Sequence, residues 1–136
     1  MGDWERVCSD LSQLYEDNAR VNFNIKLTRD QVSDYLESVI ACRVAYKENK
    51  LEAAIFVSKD GECGFLSISN PHFTSASYLL RELKSIIQTF PENVRSKLWC
   101  VIQNDNTRVL KYVTRLNFKL DIEKETKSYF TYKEGE

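Results

Sequence analysis

The sequence has little glycine, little proline and almost no net charge: four Gly, two Pro, and 19 Lys plus Arg against 20 Asp plus Glu in 136 residues. The balanced charge, without a block of one sign, excludes the electrostatic footprint of a nucleic-acid or membrane-surface binder. No apolar run approaches the ~18 residues of a membrane span. The chain does have two Trp, seven Tyr and seven Phe. This composition predicts one compact domain over residues 1–136.

The start of the chain and its cysteines point to a reducing compartment. Met1–Arg6 lacks the charged-then-apolar pattern of a secretory signal, so we expect a cytoplasmic protein. The cysteine spacing fits neither a zinc site nor a disulfide framework. We therefore predict no metal site and four reduced, mostly buried thiols at Cys8, Cys42, Cys63 and Cys100.

Two helices are predicted within residues 1–41. Apolar residues from Trp4 to Tyr15 recur at helical spacing. Thr28 and Gln31 have the spacing of a capping box and precede a second apolar stripe that ends at Ile40. Between the helices, the alternation over Val21–Leu27 predicts a short strand.

From Cys42 the apolar period changes to two. The runs Cys42–Lys47, Leu51–Ser58 and Glu62–Ser69 are separated by polar turns, of which Asp60-Gly61 is a strong tight-turn signal. These three runs predict an antiparallel meander, and Asn70-Pro71 ends it.

The rest of the chain alternates helix and strand. The continuous apolar run Leu98–Ile102 predicts a strand covered on both faces at the centre of the core. A right-handed crossover would place it beside Glu62–Ser69 and parallel to it. The predicted fold class is α/β (α+β): a mixed, mostly antiparallel sheet over residues 42–136, with one central parallel strand pair and flanking helices. The other predicted elements are a helix at Ser75–Phe90, a helix at Thr107–Leu116 and a hairpin of Phe118–Glu123 with Lys127–Tyr132.

The segment from Asn106 to Phe118 resembles a motif of the GNAT acetyltransferase family. In that motif an Asn opens a helix and a Gly-Phe pair closes it, and here Asn117 stands at the Gly position. Asn is the usual non-Gly residue in left-handed geometry after a helix. The resemblance covers about Cys42 to Tyr132. The same stretch is similar to small internal virion or assembly proteins of short-tailed phages, which have a Leu-Trp strand, an Asn-Thr helix start and a charged C-terminal hairpin.

The GNAT resemblance implies acetyl-CoA as acyl donor, but two family features are missing. Active members hold the pyrophosphate with a glycine-rich loop that carries Arg or Gln, whereas Asn70–Tyr78 has no Gly, Arg or Lys. Members often place a proton-donating Tyr at the position of Val113, and the neighbouring Tyr112 points about 100° away on the helix. If the chain is active, the resemblance implies that Thr74, Ser75, Ala76, Ser77 and Asn106 bind the cofactor.

Proton transfer has two weak candidates. Glu62 begins the third meander strand, and His72 follows the end of that strand. The plainer alternatives are a surface residue beside a turn for Glu62 and an exposed loop residue for His72.

Two surface features have open interpretations. A basic stripe on the last helix and the strand after it would contact phosphates or an acidic protein, or it is a solvated face. The aromatic residues of the last strand are core or a docking surface. The stripe is Arg108, Lys111, Arg115 and Lys119; the aromatic residues are Tyr129, Phe130 and Tyr132.

Two functions are compatible with these patterns. Loss of both family features favours a degenerate acetyltransferase fold that serves as a binding or assembly module with a protein partner. Such a protein would act in the host cytoplasm or virion if it is phage-encoded. The alternative is an active acetyl-CoA-dependent N-acyltransferase.

Overall fold

The computed structural model describes residues 2–67 and 78–133. The order of helices and strands is the predicted one with three exceptions: the short helix α4 is added, residues 24–28 form no strand, and α2 ends at Ser38 instead of continuing to Ile40. The elements are α1 (Gly2–Phe23), α2 (Arg29–Ser38), β1 (Val39–Lys47), β2 (Lys50–Ser58), β3 (Cys63–Ser67), α3 (Tyr78–Thr89), α4 (Glu92–Arg95), β4 (Trp99–Gln103), α5 (Thr107–Arg115), β5 (Phe118–Glu123) and β6 (Lys127–Tyr132).

The first sheet is the predicted antiparallel meander, in the order β1-β2-β3. Lys47 pairs with Lys50, so the first hairpin has a two-residue loop. Both loop residues, Glu48 and Asn49, have positive φ, at 53° and 66°. This geometry matches the right-handed twist of the strands that it connects. The meander prediction is confirmed.

The second sheet has the order β4-β6-β5, and both of its strand pairs are antiparallel. One parallel bridge, Glu62 to Trp99, joins it to the first sheet. The Trp99 N–H donates to the Gly61 carbonyl oxygen at 3.0 Å. The predicted parallel contact is therefore present only as this bridge, and where the sequence predicts one mixed sheet the described residues form two three-stranded antiparallel sheets. In the described residues β3 and β4 share this single bridge and not a continuous ladder, so they diverge after it.

Two apolar layers cover the first sheet. Helices α1 and α2 pack on one face, around Leu14, Tyr35 and Phe56. Helices α3 and α5 pack on the other face in a core that continues under the second sheet, from Ile55 to Phe130. Strand β2 is almost wholly buried because both layers contact it.

The prediction that Leu98–Ile102 is covered on both faces is wrong. Strand β4 alternates half-buried and buried residues, and so does β6. Cys100 and Ile102 enter the core, whereas Trp99 and Val101 lie on the other face, half-buried. Helices cover the second sheet on one face, so β2 is the strand at the centre of the core.

The predicted helix signals are confirmed at three positions. Thr28 and Gln31 form both hydrogen bonds of a capping box, at 2.8 and 3.2 Å. The Asn106 side chain caps α5 by accepting from the Val109 N–H. Asn117 follows α5 with φ 73°, the left-handed geometry predicted for the family's Gly position.

The predicted strand at Val21–Leu27 is wrong. Helix α1 continues to Phe23, and Asn24 then leaves it with φ 54°. Residues 24–28 form no strand. The local alternation fits a strand, but α1 packs as a helix on β2 and β3, and this tertiary contact overrides the local preference.

The cysteines are unpaired, as predicted. Cys63 and Cys100 are buried, whereas Cys8 and Cys42 are half-buried. Burial is thus less complete than predicted. In the described part of the chain, no helix combines the length and apolar character needed to cross a membrane.

Candidate functional site

The turn between β2 and β3 fixes Glu62 at the junction of the two sheets. Gly61 has φ +96°, and a Cβ there would press on the backbone of Lys97, at 3.1 Å from its carbonyl carbon. The Ser58 N–H donates to the Glu62 carbonyl oxygen at 2.8 Å, and the Glu62 N–H donates to Ser58 Oγ at 3.1 Å. The Ser58 hydroxyl donates in turn to the Asp60 carboxylate, which lowers the pKa of Asp60. The turn is therefore closed by its own polar groups.

The Glu62 side chain is half-buried beside this turn. Burial raises the pKa of its carboxyl group above the ordinary value, and the nearby charge of Asp60 adds to the effect. Within residues 2–67 and 78–133 the Glu62 carboxylate accepts no hydrogen bond and forms no salt bridge. It is thus a desolvated carboxylate with its acceptor sites available.

A cleft of about 270 Å³ opens in front of Glu62. Bridged residues of parallel strands point to the same face, so Glu62 and Trp99 lie on the α1 side of the sheets. The end of α1 and the loop after it form one wall of the cleft, and strands of both sheets form the opposite wall. The first wall is Tyr15, Asn18, Ala19, Phe23, Ile25 and Leu27; the second is Phe56, Glu62–Leu66, Val101, Lys127 and Tyr129.

Three aromatic rings, tilted against one another by 51° and 54°, support the cleft beside Glu62. The Tyr15 and Tyr35 ring centroids are 3.8 Å apart, and those of Tyr35 and Phe56 are 4.7 Å apart. Gly64 has no side chain, and the Phe56 ring occupies the space above it. Burial raises the pKa of both tyrosines, and the negative charge of Glu62 raises them further. Both phenols therefore stay protonated at neutral pH and lie within the electrostatic range of Glu62.

The far end of the cleft is basic. Strand β6 alternates, so Lys127 and Tyr129 share the cleft face while Ser128 and Phe130 are buried behind them. The Lys124 and Lys127 ammonium groups lie 5.3 and 5.9 Å from the Tyr129 ring centroid. In the described residues neither lysine forms a salt bridge. The two cations are held by the ring and remain available to an anion.

The structure places one of the two proton-transfer candidates in this cleft. Glu62 lies in its wall, whereas His72 lies outside the described residues. The cofactor-binding candidates Thr74–Ser77 also lie outside them. Their roles remain predictions.

The other predicted positions lie on α5, away from the cleft. Asn106 is half-buried and uses its side-chain oxygen as the helix cap. Val113 is fully buried in the core, and Tyr112 is half-buried beside Arg115, whose guanidinium carbon is 5.9 Å from the ring centroid. In the basic stripe, Lys111 and Arg115 are exposed and Lys119 is half-buried, while the side chain of Arg108 is not described.

Sequence reasoning did not connect the other cleft residues with Glu62, and it named Tyr129 only among the aromatic residues of the last strand. Tyr15, Lys127 and Tyr129 come from the two ends of the chain, and only the topology of the sheets brings them together. The alternation of polar and apolar residues in β6 was the available signal, because it separates Lys127 and Tyr129 from the buried face.

No family model and no curated protein matches the sequence. Solved acetyltransferases are similar in structure. The GNAT domain of S. lividans PAT has a TM-score of 0.55 at 15% identity, over 96% of this chain and 85% of that chain. A GNAT-family acetyltransferase from Bacillus anthracis has 0.53 at 14% identity, over 90% and 86%. The PaiA N-acetyltransferase of Thermoplasma acidophilum, solved with coenzyme A, has 0.51 at 11% identity, over 90% of each chain. These similarities show a GNAT-like fold.

Proposed function

We propose that this protein is an acyl-CoA-dependent N-acyltransferase whose acceptor amine binds in the cleft at Glu62. The observation that carries the proposal is the Glu62 carboxylate, which is half-buried, unpartnered in the described residues, and placed where β3 and β4 diverge. A desolvated carboxylate without partners costs stability, so its presence in a cleft points to a functional role. The GNAT-like fold and the coenzyme A in the Thermoplasma acidophilum structure agree with this chemistry.

Glu62 would act as the general base. An amine attacks a thioester only as the neutral base, so a proton must leave the ammonium form before or during the attack. The raised pKa of Glu62 makes its carboxylate a better proton acceptor near neutral pH. Tyr15 lies in the opposite wall of the cleft, and its protonated phenol is within the electrostatic range of that carboxylate.

The donor would supply the acyl group as a thioester. The divergence of β3 and β4 after their single bridge leaves the gap between strands that such a group needs. From the sequence, Thr74, Ser75, Ala76 and Ser77 would hold the phosphates with backbone N–H groups and hydroxyls. Asn106, at the start of α5, would also bind the cofactor.

A second candidate is a noncatalytic binding or assembly module with a protein partner, of the phage type. Two observations favour it: Val113 is sealed in the core at the family's tyrosine position, and Asn70–Tyr78 lacks Gly, Arg and Lys. Loss of a charge-assisted hydrogen bond to a phosphate weakens binding by about 1.5–3 kcal/mol.

The test measures donor binding and turnover separately. Acetyl-CoA at 100 times its Kd should stabilise the fold by about 2.7 kcal/mol. At about 2.1 cal/mol/K of unfolding entropy per residue, this is a rise in Tm of about 9 °C for 136 residues. Mass spectrometry would follow acetylation of a panel of amines. We expect Glu62→Gln to retain the acetyl-CoA shift and to lower kcat about 10²–10⁴-fold.

Glu92→Gln, on an exposed residue of α4, is the matched control and should leave both readouts unchanged. A Tm shift without turnover of any amine would refute the enzyme and indicate a noncatalytic acyl-CoA binder. No shift and no turnover would support the assembly module.

A further inference from the structure

We propose that the acceptor is a small amine with an apolar side chain and a carboxylate, the chemistry of an apolar α-amino acid. This inference rests on the proposed function. It follows from the chemistry of the cleft, which has the Glu62 carboxylate at one end and an apolar wall along its side. At the other end it has the Lys127 ammonium group, which forms no salt bridge in the described residues.

The apolar wall selects the side chain of the acceptor. Phe23, Ile25 and Leu27 follow one another along the end of α1 and the loop after it. Phe23 is 37% and Ile25 50% exposed, so the wall has apolar surface that a ligand would cover. Each square ångström of apolar surface removed from water favours binding. A polyamine or an aminoglycoside would leave this surface uncovered.

The charges select the two ends of the acceptor. Glu62 is bridged to Trp99, and Lys127 is paired with Gln103 four residues further along β4. At about 3.3 Å per residue, the two backbone positions lie about 13 Å apart along the strand direction. The two side chains form no salt bridge with each other. Between them, an amine would meet the carboxylate of Glu62 and a carboxylate would meet the ammonium group of Lys127.

The volume limits the size of the acceptor. Sites for drug-sized ligands occupy about 300–1,000 Å³, and this cleft has about 270 Å³. An amino acid fits that space, and a short peptide would have to place its second residue outside it. Free L-leucine and the dipeptide L-leucylglycine present the same amine and side chain, and the dipeptide moves the carboxylate away by about 3.5 Å.

The experiment compares four amines, each with acetyl-CoA and each alone. The amines are L-leucine, L-leucylglycine, L-leucinamide and spermidine. Acetylation is measured as kcat/KM, and binding without acetyl-CoA is measured by isothermal titration calorimetry. The variants are Lys127→Gln and, as matched control, Lys84→Gln on the exposed face of α3.

We expect wild type to prefer L-leucine over L-leucinamide by about 10- to 100-fold, the value of one charge-assisted hydrogen bond. Lys127→Gln should remove this preference in both kcat/KM and Kd, and Lys84→Gln should keep it. If L-leucylglycine is acetylated with a higher kcat/KM than L-leucine, the acceptor is the N-terminus of a peptide, which presents the same amine and side chain.

The two proposals fail in distinguishable ways. Efficient acetylation of spermidine or L-leucinamide, with no advantage for L-leucine, would overturn this inference and leave the acyltransferase intact. Binding of L-leucine that depends on Lys127, without any acetyl transfer, would refute the enzyme and retain the amino-acid site. Absence of both binding and transfer would overturn both.

Discussion

Substitution of Gly64 tests whether the floor of the cleft depends on a missing side chain. Gly64 pairs with Phe56 across β2 and β3, and a Cβ at Gly64 would lie 2.6 Å from Phe56 Cδ1 and closer still to two other ring atoms. Carbon atoms pack at about 3.5–4.0 Å. In Gly64→Ala the ring must therefore retreat by at least about 1 Å, against Tyr35, whose ring centroid is 4.7 Å away.

The magnitude follows from two opposing terms. Overpacking of a buried site costs about 1–3 kcal/mol, and replacing Gly by Ala in a strand recovers about 0.5–1 kcal/mol of backbone entropy. Gly64→Ala should therefore lose up to about 2.5 kcal/mol, a fall in Tm of up to about 9 °C. Phe56→Leu removes the ring, so in that background the same substitution should gain about 0.5–1 kcal/mol.

Urea and thermal denaturation of the four proteins close a double-mutant cycle. The expected coupling between the two positions is about 1–3 kcal/mol. A Gly64→Ala effect that is stabilising in wild type, or equal in both backgrounds, would show that the Phe56 ring does not occupy the space above Gly64.

Two further substitutions probe the base and the helix end. The pKa of Glu62 in the folded state is raised above 4.5, so ionisation of this carboxyl group costs stability as pH rises from that value through the folded-state pKa. In urea titrations, Glu62→Gln should therefore be more stable than wild type at pH 7. Below about pH 4 the two proteins should be equally stable. A difference in stability between Glu62→Gln and wild type that persists at low pH would contradict this reasoning. Asn117 has φ 73°, so Asn117→Ala should lose about 1–2 kcal/mol of stability, or about 3–7 °C in Tm. Asn117→Gly should stay within about 0.5 kcal/mol of wild type. Equal losses in both variants would exclude backbone strain as the cause.

Local signals predicted the fold well where the chain makes its own contacts. The capping box at Thr28, the helix cap at Asn106 and the left-handed Asn117 depend on neighbours within a few residues. The hairpin of Phe118–Glu123 and Lys127–Tyr132 has the predicted bounds for the same reason.

Signals that depend on distant partners were misleading. Val21–Leu27 alternates like a strand, but helix α1, which packs on β2 and β3, continues through Phe23. Leu98–Ile102 is apolar like a strand covered on both faces, yet its Trp99 and Val101 face the cleft side, half-buried. The cleft itself required the tertiary arrangement, since only Glu62 among its charged residues was named from the sequence.

The single bridge between Glu62 and Trp99 has a consequence for folding kinetics. Each hairpin closes a short loop, which costs little chain entropy and takes microseconds. The contact between Glu62 and Trp99 closes a much longer loop that includes α3 and α4. Docking of the two sheets should therefore be the slow, late event, with φ-values near zero at Trp99 and higher values inside the β1–β2 hairpin.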